Sequence, residues 1–302
     1  MKIRKRIITG LLTGLTILSL AGCANQGKQI AQQQSNQQTQ QTQQKQTNNK
    51  PQFETGLPAK TYPNQKLAES VLTPSVKAQL HADEYDYNAA GAFNLYGSHL
   101  SGLNVNVSSA PYVQQANRNP AHGNRVEGTA RAWLNHSSRQ YQNRNATGQG
   151  RGDFKPVGFH QIMNLNPKAT GYNHLYDRGH LIAYAIAGNV RGFNASESNP
   201  DNIVTQTAWC NEAGTYQVGT GQNYYEGIVR EALDHNKKVM YAVTPIYNTP
   251  QDLVPVGMHL QAKSDDGTTL FNVFVPNVQN GLKINYQTGR AVANNDRSYF
   301  NQ

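Results

Sequence analysis

The chain has 302 residues, 37% of them hydrophobic, and a formal net charge of +9. Residues 1–50 hold seven basic and no acidic side chains, so residues 51–302 carry only +2. That balance excludes a uniformly basic polyanion-binding domain, and two cysteines exclude a disulfide scaffold.

Met1 to Arg6 carries Lys2, Arg4, Lys5 and Arg6, and the apolar run Ile7 to Leu20 leads into Leu20-Ala21-Gly22-Cys23. A positive start, a short apolar run and small residues before a cut describe a secretory signal. The run is 14 residues long, short of the roughly 20 that a spanning helix needs. The segment resembles a bacterial lipobox, which implies cleavage before Cys23 and lipid on its sulfur; an uncleaved anchor is the alternative. Either outcome puts the remainder at the extracellular face of a bacterial membrane, anchored or released. Gln, Asn, Thr, Ser and Lys dominate Gln29 to Lys50, too little apolar surface to offset ordering entropy. The chain thus divides into a signal peptide (1–22), a Gln-rich disordered tether (23–52) and one folded domain (53–302). A Gln-rich adhesive tract is the other reading of the tether.

Within the domain, Lys66 to Leu80 has a helical pattern interrupted at Pro74, and Ala92 to Val107 alternates like a strand. Val126 to Leu134 suggests a short helix. Gly171 to Tyr184 enters or leaves a strand. Asn199-Pro200-Asp201-Asn202 is turn chemistry opening a helix from Ile203 to Asn211. A helix is predicted from Tyr224 to Asn236, with Ile228, Val229, Ala232 and Leu233 at helical spacing. Val239 to Ile246 is a strand. Hairpins are predicted over His259 to Val275, around Asp265-Asp266-Gly267, and over Leu282 to Val292, around Thr288-Gly289. Strands following helices without a βαβ cadence indicate an α+β fold.

Asp177-Arg178-Gly179-His180 is the densest chemical cluster. Apolar Leu181-Ile182-Ala183 follows, so the quartet borders buried structure. A neutral imidazole at His180 could take a proton from water near neutral pH, as phosphodiester hydrolysis requires. Asp177 and Arg178 could fix the loop or contact phosphate. Thirty-one residues on, Asn211 offers an amide oxygen, a hard neutral donor suited to Mg²⁺, which keeps most of its waters. Asn202 and Gln206 would share one helix face, with Asn199 as a cap. Glu226 either pairs with Arg230 or orients metal-bound water. His174 and His160 either touch the substrate or pack. Cys210, left alone if Cys23 is lipidated, reads as a small core residue. Residues 118–191 hold ten bases against three acids, eight of the ten being Arg, the better bidentate partner for phosphate. The block suits a polyanion or is simply a solvated surface.

Beyond these residues, the chain resembles the DNA/RNA non-specific endonuclease family, the ββα-metal or His-Me finger nucleases, and within it the membrane-anchored DNA-entry type. The likeness rests on Arg139-Gln140-Tyr141, Gly158-Phe159-His160-Gln161, Asp177-Arg178-Gly179-His180-Leu181, Ser198-Asn199-Pro200, Asn202-Ile203, Gln206-Thr207-Ala208-Trp209, Asn211 and Gln222-Asn223-Tyr224-Tyr225-Glu226. It implies a central antiparallel sheet flanked by helices, with a ββα catalytic element. It implies a lipid-anchored, Mg²⁺-dependent endonuclease, Mn²⁺ able to substitute, that cuts DNA and RNA without sequence preference. His180 would be the general base, Asn211 the metal ligand, and Glu226 a support for the metal's waters. Arg178 would stabilise charge or hold the loop. His174, Asn199, Asn202 and Gln206 would line the site. Asp177 is read as structural beside it. Phe159 stands where the family would have Trp. Glu231 stands where a second base would follow Arg230, which weakens Arg230 as a DNA contact. Membrane lipid and a DNA-uptake machinery are the implied partners besides nucleic acid. The competing class is a non-catalytic surface module that captures DNA for uptake.

Overall fold

The computed structural model describes residues 62–97, 103–150, 152–214 and 219–295, all within the compact unit Lys50–Gln302. The expected signal peptide, tether and lipidated Cys23 lie outside the described residues. No helix among the described residues is long and apolar enough to cross a membrane.

The chain opens with helices α1 (Gln65–Glu69) and α2 (Pro74–Leu80). The Thr73 hydroxyl caps α2 by accepting from the Val76 amide at 3.2 Å. Pro74 sits in its first turn, where its missing N–H costs nothing. Strands β1 (Glu84–Tyr87), β2 (Phe93–Tyr96) and β3 (Tyr112–Gln114) follow. Next come β4 (Asn117–Asn119), β5 (Arg125–Glu127) and β6 (Ala130–Leu134).

The helix expected over 126–134 is therefore two strands. Gly128 at φ 81° allows the turn between them. Ala130, Ala132 and Leu134 alternate into one core cluster while Trp133 enters another, a period of two rather than 3.6. Of the strand expected over 92–107, β2 forms; 98–102 are not described and 103–107 belong to no element.

Helix α3 (Pro167–Thr170) precedes β7 (Tyr176–His180), α4 (Tyr184–Ala187) and β8 (Ile203–Thr207). Helices α5 (Ala208–Glu212) and α6 (Gln222–Asp234) come next. The single helix expected over 203–211 is thus a strand joined to a short helix. Thr207, not Asn199, supplies that helix cap: its hydroxyl accepts from the Cys210 amide at 3.1 Å. Strands β9 (Val239–Ile246), β10 (Gly257–Ser264) and β11 (Leu270–Pro276) form an antiparallel meander, and β12 (Leu282–Asn285) pairs with β13 (Arg290–Ala293).

Seven strands make the central sheet in the order β1-β2-β11-β10-β9-β6-β3, and every described pairing in it is antiparallel. Alternation along β9 divides its side chains between faces. Val239, Tyr241 and Val243 meet Tyr225, Val229 and Leu233 of α6 in the largest core cluster. On the other face Ile246, Phe274 and Phe93 pack with Leu67, Val76 and Leu80 from α1 and α2. Cys210 is fully buried in the first cluster, and burial pushes its thiol well above the ordinary range.

The arrangement is α+β with a large antiparallel sheet. The β7–β8 hairpin, running directly into α5, is a ββα element beside that sheet.

Candidate active site

Strand β7 pairs with β8 in the register Asp177↔Gln206, Arg178↔Thr205, Gly179↔Val204 and His180↔Ile203. Successive side chains of a strand point to opposite faces. Asp177 and Gly179 therefore share one face, Arg178 and His180 the other.

On the second face, His180 is 8% exposed. Its Nε2 lies 3.0 Å from the Ala195 carbonyl. Arg144 Nη1 donates to that same carbonyl at 3.2 Å, and stands 3.2 Å from Nε2. A guanidinium only donates and a carbonyl only accepts, so the two neighbours of Nε2 ask for opposite tautomers; the Ala195 contact is the shorter and favours the proton on Nε2 with the lone pair on Nδ1. Burial, then the neighbouring Arg144 charge, pull the imidazole down to about 3, partly opposed by the Ala195 bond. His180 is neutral at physiological pH. The loops that supply Arg144 and Ala195 also line an open polar cleft of 670 Å³, through Asn145, Gly148, Gly150, Asn194, Ser196 and Ser198. Arg178 donates Nε to the Phe154 carbonyl at 2.6 Å and lies 5.5 Å from the centre of the Phe159 ring. It holds the 154–159 loop.

On the first face, Asn211 Nδ2 donates to Asp177 Oδ2 at 3.1 Å. That fixes the amide, because a carboxylate only accepts, and leaves Asn211 Oδ1 as a hard donor with no hydrogen bond among the described residues. His174 Nε2 lies 2.8 Å from Asp177 Oδ1 and 3.7 Å from Glu212 Oε1. The hydrogen bond to Asp177 raises the His174 pKa against partial burial. Partial burial, then the like charge of Asp177, push Glu212 up to about 7. A free amide oxygen beside two crowded carboxylates suits a divalent cation.

A buried polar seam joins these faces. Gln206 donates to Gln222 Oε1 at 2.8 Å, and Gln222 donates to the His180 carbonyl at 2.6 Å and to Glu226 Oε1 at 2.8 Å. Burial lifts Glu226 to about 7, opposed by the Gln222 bond and by Arg230 and Arg144. Gln222, Glu226, Val229 and Leu233 form one stripe of α6, so the helix carries a polar end into the core. No hydrogen bond among the described residues joins His180 directly to Asn211.

The other expected residues take positioning tasks. Asn202 is fully buried, and both its amide atoms clamp Ile182: Oδ1 accepts from the Ile182 amide at 2.9 Å and Nδ2 donates to its carbonyl at 3.0 Å. It does not line the cleft as a phosphate contact would. Asn199 is buried and donates to Gln115 Oε1 at 2.5 Å and the Asn194 carbonyl at 2.6 Å, steadying the loop around Ala195. Arg230 Nη2 donates to Asn223 Oδ1 at 3.0 Å. His160 is exposed, while Gln161 clamps Tyr176 by accepting from its amide at 2.9 Å and donating to its carbonyl at 2.6 Å.

Three residues were hidden from sequence reasoning. Arg144 stood out only as one of ten bases, Glu212 only as the neighbour of Asn211, and Gln222 only inside a longer motif. Their roles arise from tertiary placement.

The model of the DNA/RNA non-specific endonuclease family matches residues 92–296. NucA from Streptococcus agalactiae with magnesium ion bound is similar in structure, with TM-score 0.65 and 42% identity over 73% of this chain and 95% of that one. The same nuclease with no metal bound gives TM-score 0.62 at 42% identity, over 73% and 94%. A neutral buried histidine beside a polar cleft, on a ββα element that carries hard metal donors, places this chain in the DNA/RNA non-specific endonuclease family of metal-dependent nucleases.

Proposed function

We propose that this protein is a Mg²⁺-dependent, sequence-non-specific endonuclease that hydrolyses DNA and RNA from the extracellular face of a bacterial membrane, held there by lipid on Cys23. The observation that carries the chemistry is His180, kept neutral by burial and bonded through Nε2 to the Ala195 carbonyl. Its free Nδ1 takes a proton from attacking water. An incoming phosphodiester brings negative charge to a site where Arg144 is the adjacent cation, so the imidazole becomes more basic as substrate binds. Arg144 then exchanges part of its hold on Ala195 for phosphate.

Asn211 Oδ1 is the protein donor for Mg²⁺, Asp177 orients it, and Glu226 stands in the seam behind. When bound, Mg²⁺ supplies positive charge that stabilises the phosphorane-like transition state and the leaving oxygen. Phosphate contacts carry no base information, which accounts for cleavage without sequence preference. Mn²⁺ can substitute because it accepts the same oxygen donors. Association with a DNA-uptake machinery fits a tethered surface nuclease, and the tether from 23 to 52 gives it reach.

The deciding experiment incubates the full-length protein and its His180→Ala variant with circular plasmid, with and without Mg²⁺. The proposal requires relaxed and linear products from the wild type only when Mg²⁺ is present. Retained DNA binding without cleavage by the wild type would instead establish the non-catalytic capture module.

A further inference from the structure

His174, Asp177 and Glu212 bring one imidazole nitrogen and two carboxylate oxygens within 4.8 Å of one another. They come from the segment entering β7, from β7 itself and from the last turn of α5. We infer that these three side chains form a second divalent-metal site, distinct from the Asn211 oxygen and selective for a borderline cation such as Zn²⁺ or Co²⁺.

Three observations carry it. The first is convergence: His174 Nε2 stands 2.8 Å from Asp177 Oδ1 and 3.7 Å from Glu212 Oε1. Donors around a Zn²⁺ ion at about 2.0–2.2 Å from the metal need comparable separations, reached here by small side-chain rotations. The second is the imidazole's other nitrogen. His174 Nδ1 lies 2.8 Å from Asn173 Oδ1. An amide oxygen only accepts, so Nδ1 is the donor there and Nε2 is the nitrogen presented to the carboxylates. Metal-bound histidines are oriented by this kind of outer hydrogen bond. The third is the support of the remaining ligands. Asp177 Oδ2 is held by Asn211 Nδ2 at 3.1 Å, leaving Oδ1 for the ion, and the His174 carbonyl accepts from Gln279 Nε2 at 2.8 Å.

Donor chemistry sets the selectivity. Mg²⁺ favours oxygen ligands and retains its waters, whereas an imidazole nitrogen favours Zn²⁺, Co²⁺ or Ni²⁺. Three protein donors leave room for one or more waters. Asp177 touches both the ion and Asn211, so occupancy of the second site stiffens the amide proposed to hold Mg²⁺. The second site itself does not depend on that proposal.

Co²⁺ is the probe, titrated into metal-stripped full-length protein and followed by its visible absorption, with Zn²⁺ by calorimetry. The wild type should bind one Co²⁺ that Zn²⁺ displaces and that Mg²⁺ in moderate excess does not. Glu212→Gln and His174→Ala should each weaken Co²⁺ by roughly tenfold or more, with circular dichroism showing both folded. Equal Co²⁺ affinity in all three proteins would overturn the site. So would loss of Co²⁺ binding in Asn211→Ala alone, which would put the ion at the amide.

Discussion

His174 and His180 lie on either side of one five-residue strand and live in opposite electrostatic worlds. His174 faces two carboxylates, and its hydrogen bond to Asp177 favours the protonated ring. His180 is sealed beside a guanidinium, so the same side chain is held neutral. Strand alternation turns four consecutive residues into two environments, one that attracts cations and one that supplies a base. The lesson is that neighbours in a motif can meet different surroundings: the Asp177 and His180 side chains leave opposite faces of one hairpin.

The contrast can be broken from the catalytic side first. Replacing His180 with Ala should lower plasmid cleavage by about 10²–10⁴-fold, the range for a general base, while filter binding of DNA changes little; near wild-type digestion would remove His180 from that role. Chelation with EDTA should abolish cleavage and Mg²⁺ restore it, and activity that persists in EDTA would dismiss the divalent donors on the Asp177 face.

Acid should act next through stability. An unfolded chain protonates this imidazole below its ordinary value of 6.5, whereas the folded one resists until about 3. Stability therefore rises with pH across that window and is lost as pH falls, by on the order of a few kcal/mol. Urea unfolding at pH 7 and pH 4.5 should show a larger acid loss in wild type than in His180→Gln; equal losses would mean the ring is not held neutral.

Gly179 shares the Asp177 face and backs onto the polar seam. A Cβ there would lie 2.1 Å from Gln206 Oε1, so Gly179→Ala should displace Gln206 from Gln222 and cost about 1–3 kcal/mol. An unchanged melting temperature would show that the seam gives way freely. The smallest effect is spectroscopic. In metal-free protein the ring of His174 should titrate above 6.5 while that of His180 stays neutral between pH 8 and 5, as followed by NMR. Coincident titrations would erase the comparison.

The fold class and most late strands were legible because their patterns are local. Five of the eight residues from Val239 to Ile246 are β-branched or aromatic, and Asp265-Asp266-Gly267 marks the turn between β10 and β11. Ile203 to Thr207 misled for a physical reason. All five residues are buried, so no period distinguishes strand from helix, and Asn-Pro-Asp-Asn turn chemistry precedes either. The Ile-Val-Thr content was the better guide. In the site, His180, Asp177 and Asn211 were readable as chemistry in a motif. That Asn202 is spent on Ile182, or that Arg144 reaches His180 from 36 residues away, was not, because those contacts depend on how loops dock.

The sheet order has a consequence for when this nuclease becomes dangerous. β2 pairs with β11 and β6 with β9, so strands made early must wait for partners encoded after residue 238. Loop closure on that scale delays assembly. A chain still being synthesised lacks the sheet against which α6, and with it Gln222 and Glu226, is packed. We expect a chain ending at Lys238 to leave plasmid intact in a cell-free reaction, and cutting by that fragment would refute the idea. The topology thus withholds the assembled site until about the last quarter of the domain has emerged.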